Sequence, residues 1–105
     1  MSTIEFYTND IRERLGENSG LGNTIKFDFK GEGFIFVDGK SVPNRVSNDD
    51  EKADCTLVIS LKDFNKLVDG KLKPTRALLL GKLKVKGNML VARKLPAVMG
   101  EEIDD

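Results

Sequence analysis

The sequence predicts an α+β fold, because helical and strand periodicities both occur along a chain of 105 residues. Residues 3–15 repeat apolar side chains at the spacing of an amphipathic helix. Residues 24–30 and 82–86 instead alternate between apolar and polar side chains, as half-buried strands do. A chain of this length can bury a core and has the size of one domain, so we assign residues 1–105 to a single domain.

The composition excludes several classes of function. With no histidine and a lone cysteine, Cys55, the chain cannot build a Ser-His-Asp or Cys-His nucleophile, an internal disulfide or a cysteine-based zinc site. We therefore expect a protein that is not an enzyme, needs no cofactor and holds no metal, with catalysis through carboxylates, lysine or a cofactor as the alternative that the composition leaves open. No apolar run approaches the roughly 20 residues of a membrane span, and the N-terminus lacks the features of a secretory signal. A reducing, cytoplasmic setting is the expected location.

Two aromatic segments predict a β-hairpin. Residues 24–30 and 33–37 are separated by Gly31-Glu32, which suits a two-residue type II′ turn. That turn would pair Phe29 with Phe34 and Phe27 with Phe36, which places all four rings on one face of the hairpin. A three-residue loop would instead flip one pair to the other face. Either helices or a bound apolar ligand must cover such a face.

The remaining elements follow from their boundary residues. Residues 38–44 are predicted to form turns, residues 47–52 a polar loop and residues 55–60 a β-branched strand. Ser60 is the expected N-cap of a helix over 61–69. Pro74 opens a short helix over 74–80, whose run of three leucines cannot all be hidden on one face. A strand over 82–86 and a last helix over 89–95 complete the prediction.

Charge is unevenly distributed although the net charge is zero. Residues 61–105 carry ten basic and six acidic side chains, so this half can attract anionic surfaces. The lysines that we assign to transient contact with an anionic membrane are Lys71, Lys73, Lys82, Lys84 and Lys86. The alternative is that they are the solvated sides of helices and a strand. Nucleic acid is not expected as a partner, because the basic block holds a single aromatic residue, Phe64, for base stacking.

Three motifs occur in order along the C-terminal half. They are A-D-C-T at residues 53–56, G-K-L-K-P at residues 70–74 and G-K-L-K-V-K-G-N at residues 81–88. As an ordered set they resemble the corresponding segments of sterol carrier protein 2 domains. The resemblance is strongest over residues 53–95, looser over 20–52 and weakest in the first helix.

The resemblance implies a sheet of about five mainly antiparallel strands, with helices over one face that enclose a hydrophobic tunnel. It implies a non-catalytic lipid-binding or lipid-transfer protein whose ligand is a fatty acid, fatty acyl-CoA, sterol or phospholipid. We expect a free-standing member, and the short first hairpin is similar to compact bacterial-type members. The last residues, Glu101 to Asp105, do not form the Ser-Lys-Leu-like signal of peroxisomal members, so import through that signal is not expected.

Ten residues are the predicted lining of this tunnel. They come from the first helix, the hairpin and the C-terminal helices and end: Ile11, Leu15, Phe27, Phe29, Phe34, Phe36, Leu78, Leu79, Leu90 and Met99. Plain core packing is the alternative for each of them. Arg14 is the candidate cation for a carboxylate headgroup, against the alternative of a solvated surface arginine. A structural or protein-interaction domain with a closed core also stays open as the function.

Overall fold

The computed structural model describes residues 3–16 and 20–94, which form four helices and five strands. In chain order the elements are α1 (Thr3–Leu15), β1 (Thr24–Asp28), β2 (Phe34–Asp38), β3 (Arg45–Ser47), β4 (Cys55–Ile59), α2 (Leu61–Val68), α3 (Pro74–Leu79), β5 (Leu83–Gly87) and α4 (Met89–Ala92).

The five strands form one sheet in the order β3-β2-β1-β4-β5. The β1–β4 pair is parallel and the other three pairs are antiparallel. Alternate strand residues such as Ile25, Leu57 and Leu83 share one buried core with Ile11, Phe64 and other inward side chains of the helices. The predicted α+β fold, with helices over one face of a mainly antiparallel sheet, is therefore confirmed.

Most predicted helix boundaries are confirmed. Helix α1 has the predicted bounds, and α2 begins after Ser60, whose Oγ accepts a hydrogen bond of 3.1 Å from the Asp63 N–H. Helix α3 begins at Pro74, where a missing backbone N–H costs nothing. Helix α4 ends at Ala92 and is therefore shorter than the predicted helix over 89–95. Residue 95 lies outside the described residues.

The predicted register of the first hairpin is wrong. The Phe29 N–H donates to the Gly33 carbonyl oxygen over 3.0 Å, so the loop has three residues. Lys30 and Gly31 both have positive φ, 55° and 92°, as in the turns that match strand twist. Gly33 has a φ of 144°, and a Cβ atom there would lie 2.7 Å from Ile4 Cδ1 of α1. The missing side chain at Gly33 thus leaves room for Ile4 of α1 against the hairpin.

This register places the four phenylalanines on two faces. Phe27 pairs with Ile35, and both face the helices. Phe36 pairs with Lys26 instead, so it faces the opposite side of the sheet. Phe34 lies on that same side, where the Lys26 ammonium is 5.4 Å from its ring centre. The one-residue shift exchanges Phe34 and Phe36 for the smaller, β-branched Ile35 and Val37 on the core face.

Strand β3 was not predicted from the sequence. It has three residues and forms because Val46 pairs with Val37 of β2. The turn before it is held by the Asp38 carboxylate, which accepts hydrogen bonds from the N–H groups of Lys40 and Ser41 and from the Ser41 hydroxyl. The Arg45 guanidinium donates to the same carboxylate over 3.1 Å. Burial alone would raise the pKa of Asp38, but these hydrogen bonds outweigh it and lower the pKa to about 2.

No helix among the described residues is long and apolar enough to cross a bilayer.

Candidate functional site

An aromatic cluster packs against Phe27 of β1 and against Phe29, which follows that strand. The Phe64 ring of α2 lies 5.2 Å from Phe27 and 5.1 Å from Phe29, measured between ring centres. Tyr7 of α1 packs edge-on against Phe64 at 4.9 Å, and its hydroxyl is hydrogen-bonded to the Asn65 side chain. Edge-to-face packing of this kind is close and stabilising. Phe64 therefore packs directly on the two phenylalanine rings that the sequence assigned to the tunnel lining.

An apolar groove lies elsewhere, between α3 and α4. Its cavity volume is about 550 Å³, which falls within the range typical of small-molecule sites. The lining is mostly apolar and consists of Pro74, Thr75, Leu78, Met89, Leu90, Ala92 and Arg93. Leu78, Met89 and Leu90 are exposed to water, so a ligand could cover apolar surface that the protein leaves open.

Helix α3 forms one wall of the groove because of its position on the sheet. Ala77 is fully buried and fixes the inward face of the helix. Successive helical residues are rotated by about 100°, so Leu78 lies on one flank of α3 and turns toward the groove. By the same geometry Leu79 lies about 160° from Ala77 and stands on the crest of the helix. It is 86% exposed and is not part of the lining.

Helix α4 forms the other wall and is anchored at both ends. At its N-terminus the Asn88 N–H donates to the Asp54 carbonyl oxygen over 2.9 Å, and the Asn88 side chain accepts from the Leu90 N–H. Just beyond its C-terminus the Lys94 ammonium donates to the Leu21 carbonyl oxygen over 2.9 Å. Four residues make a marginal helix alone, so these anchors hold the groove wall in place.

A polar network next to β1 supports these anchors. The Lys94 ammonium also donates to the Asn23 side-chain oxygen over 2.5 Å. The Asp54 carboxylate accepts from the Thr24 N–H over 3.1 Å and pairs with the Lys40 ammonium over 3.2 Å. These interactions, led by the Thr24 hydrogen bond, lower the pKa of Asp54. The carboxylate therefore stays charged at neutral pH and holds the segment that caps α4.

Arg93 supplies a cation at the rim of the groove. It follows α4 directly, lines the cavity and is exposed. Among the described residues no carboxylate lies within 4 Å of its guanidinium. A guanidinium can bind a carboxylate or phosphate through two charge-assisted hydrogen bonds.

A second cavity, between α1 and the β2 end of the hairpin, is less suited to hydrocarbon. It has a volume of about 540 Å³, and its lining includes Arg12 and Asn48. Arg12 donates to the Val46 carbonyl oxygen, and Asn48 donates to Thr8 and to the Phe34 carbonyl oxygen. A polar lining of this kind would lose hydration against an alkyl chain.

The structure brings together two of the ten predicted lining residues, Leu78 and Leu90. Four others, Ile11, Leu15, Phe27 and Phe29, are buried in the core between the helices and the sheet.

The remaining predicted site residues lie apart from the groove. Phe34 and Phe36 face away from the helices, and Leu79 projects into water. Met99 lies outside the described residues. Arg14 is paired with Asp10 one helical turn away, at 3.0 Å. Their contact with a ligand stays a prediction.

The sequence reasoning missed Met89 and Arg93 as groove residues. Met89 follows the helix cap Asn88, and Arg93 follows the last helical residue. The capping pattern could have placed both at the ends of one short helix. It could not have shown that this helix lies beside α3, because β5 separates the two along the chain.

Comparison with known proteins gives matches across most of the chain. A family model described as the SCP-2 sterol transfer family matches residues 8–100. Hydroxysteroid dehydrogenase-like protein 2 of Homo sapiens is 42% identical over 79 residues, which are 71% of this chain and 19% of that protein. Sterol carrier protein 2 of Homo sapiens is 50% identical over 48 residues, which are 46% of this chain and 9% of that protein. The chain therefore spans less than a fifth of the length of these two relatives.

Solved structures match the fold. The apo form of sterol carrier protein 2 from Yarrowia lipolytica has a TM-score of 0.78 at 24% identity, and the match covers 94% of this chain and 91% of that one. The sterol carrier protein domain of Helicoverpa armigera has a TM-score of 0.70 at 26% identity, with 97% and 91% covered. The arrangement of sheet and helices described above is thus the one that these proteins share.

Proposed function

Because the chain belongs to the SCP-2 sterol transfer family, we propose that it is a non-catalytic carrier that holds the hydrocarbon chain of a lipid in the groove between α3 and α4. The family and the fold are those of a lipid-binding domain. The observation that carries the proposal for this site is the open groove itself, whose walls expose Leu78, Met89 and Leu90 to water.

Burial of methylene groups supplies the affinity in this proposal. Each methylene that leaves water contributes about 0.8 kcal/mol. About ten methylenes would contribute about 8 kcal/mol before the cost of association, which is itself several kcal/mol. The unbranched, polarisable side chain of Met89 adapts to chains of different shape. The groove therefore suits flexible alkyl chains better than one rigid shape.

Arg93 favours an anionic headgroup among the lipid classes. Arg93 lines the groove and is exposed, so its guanidinium could pair with the carboxylate of a fatty acid that emerges into water. A charge-assisted hydrogen bond there would fix the orientation of the lipid. We therefore propose a fatty acid as the ligand, with a neutral sterol as the less favoured alternative.

Lipid extraction and oleate titration test this function together. The purified protein is extracted with organic solvent and the extract is analysed by mass spectrometry, and the delipidated protein is then titrated with oleate. We expect a copurified lipid and saturable binding of one oleate per chain. An empty protein that does not bind oleate would refute the proposal.

The filled aromatic core favours a second candidate, a protein-interaction domain with a closed core. In that case the groove would be covered by a partner chain rather than by lipid. Native mass spectrometry separates the two, because a carrier retains a lipid mass and the alternative gives an empty monomer or dimer.

A further inference from the structure

Large apolar side chains are concentrated on one exposed surface of the protein. Seven large hydrophobic residues are exposed among those the structure describes, and five of them belong to α3, its end or α4. These five are Leu78, Leu79, Leu80, Met89 and Leu90, which we call the leucine crest. Such a concentration of exposed apolar side chains on a small protein typically marks a site that binds another protein, a membrane or a ligand.

Only part of the leucine crest is explained by the groove. Leu79 is 86% exposed and Leu80 is 54% exposed, and neither lines the cavity. A lipid in the groove would cover Leu78 and Leu90 but would leave this pair in water. A second function of the same surface is therefore needed to explain Leu79 and Leu80.

Among the described residues, the charged side chains of α3, of its cap and of the groove rim are basic. Lys73 and Arg76 belong to α3 and its cap, and Arg93 lies at the rim of the groove. None of these three has a carboxylate within 4 Å among the described residues. The acidic residues between positions 61 and 94 are Asp63 and Asp69, which lie on α2 and at its end. The leucine crest is thus an apolar surface with a basic border.

A second copy of this chain is a poor partner for such a surface. A symmetric dimer places the same patch of both copies face to face. The basic border would then meet itself, and like charges in an interface oppose association. A partner with an apolar interior and an anionic surface matches both features.

We propose that the leucine crest docks on an anionic phospholipid bilayer, with Leu79 and Leu80 inserted among the acyl chains and Lys73 and Arg76 on the phosphates. The inference rests on the proposed function, because docking in this way would open the groove toward the membrane from which a lipid enters. Insertion of short apolar groups together with basic residues at the headgroups is the usual basis of peripheral membrane binding.

The sheet divides the lysines of the C-terminal half into two sets. Lys84 and Lys86 pair with Val58 and Thr56 on the face of the sheet opposite the helices. The leucine crest and Lys73 lie on the helical side. Lys84 and Lys86 therefore serve as a matched control, because they carry the same charge as the docking residues but point away from the docking surface.

Vesicle co-sedimentation tests the proposal. The full chain is mixed with vesicles of phosphatidylcholine alone or of an equimolar mixture with phosphatidylglycerol. We expect binding to the anionic vesicles that weakens with salt. Leu79→Ser with Leu80→Ser should lower this affinity at least about tenfold, and Lys73→Gln and Arg76→Gln should each lower it about fivefold. Lys84→Gln with Lys86→Gln should leave it nearly unchanged.

Phe6→Ser provides the matched control for exposed apolar area. Phe6 lies on α1, and its exposed fraction of 57% is similar to the 54% of Leu80. Its replacement therefore reports on apolar surface away from the leucine crest. Equal loss of binding in Phe6→Ser and in the leucine variants would overturn the proposal. The single Leu79→Ser variant keeps the test decisive if the double variant folds poorly.

Three further results would also overturn the docking proposal. They are unchanged vesicle binding in the leucine variants, equally strong binding to neutral vesicles, and a dimer in solution that Leu79→Ser dissociates. Oleate binding separates this failure from a failure of the carrier function. The leucine variants should bind oleate normally, since neither residue lines the groove, so loss of vesicle binding with retained oleate binding supports the docking surface alone.

Discussion

Leu90→Asp is the sharpest perturbation of the groove. Leu90 lines the cavity and is 69% exposed, so its replacement leaves no hole in the core. It lies in the first turn of α4, where a carboxylate is favourable to the helix. We therefore expect the variant to fold with the stability of the unsubstituted protein.

The expected effect on ligand binding follows from the methylenes that the new carboxylate displaces. A charged side chain keeps its hydration, so it would exclude about three methylene groups from that wall of the groove. At about 0.8 kcal/mol each, the loss of binding free energy is about 2.4 kcal/mol, which raises the dissociation constant about 50-fold.

The assay is a titration of delipidated protein with oleate in which calorimetry measures the heat of binding. Leu79→Asp is the control, because it makes the same chemical change one residue beyond the groove wall, on the crest of α3. Its affinity for oleate should stay within about twofold of the unsubstituted protein. A binding free-energy difference of about 1 kcal/mol would already change the dissociation constant about fivefold. Unchanged oleate binding by Leu90→Asp, or equal loss in both variants, would refute the assignment of the groove.

Three further predictions concern the headgroup, the Asp38 turn and the anchor of α4. Arg93→Gln should weaken oleate binding about fivefold but leave oleyl alcohol unaffected, whereas Arg14→Gln should change neither, and the reverse result would restore Arg14 as the headgroup cation. The folded pKa of Asp38, about 2, is below the unfolded value of 3.8, so its stabilisation is present above about pH 4 and is lost as the pH falls toward 2. Asp38→Asn should thus cost about 2 kcal/mol of unfolding free energy at pH 7 and flatten the acid limb, which urea titrations at several pH values would measure. Gly87→Ala should lower the unfolding free energy more than Gly81→Ala does, although both glycines have positive φ. Only a Cβ at position 87 would meet another atom, the Asp54 carbonyl oxygen at 2.6 Å. That oxygen also accepts the hydrogen bond from the Asn88 N–H that anchors α4. Equal losses of unfolding free energy in the two glycine variants would contradict that reasoning.

Local pattern was enough to place most elements of the fold. The apolar spacing from Tyr7 to Leu15 gives a helix in any context where one face is buried, and that face is buried here. Ser60 and Pro74 mark the starts of α2 and α3 because capping depends on backbone groups within a few residues.

The hairpin shows where local pattern fails. Residues 30–33 contain two glycines, and turns of two or three residues can both be built from them. In the folded chain Ile4 of α1 lies where a side chain at Gly33 would be, so a distant element packs against this turn. The sequence near the turn holds no information about that contact.

The candidate site depends even more on distant contacts. Leu78 and Leu90 were identified as candidates because they are apolar residues on short helices. Phe27 and Phe29 were identified from the alternation of the hairpin strands, yet Phe64 from a later helix packs on them. Which apolar side chains meet each other and which stay open is decided by packing between elements far apart in the chain.

The amino-acid sequence by itself determined most of the elements, the family and the absence of histidine chemistry, since each depends on residue types and their spacing. Only the tertiary structure decided that the open apolar surface lies between α3 and α4, and that Arg93 rather than Arg14 stands beside it. The physical reason is that helix and strand formation are driven by interactions over a few residues, whereas a groove is the space left between elements that pack against a common sheet.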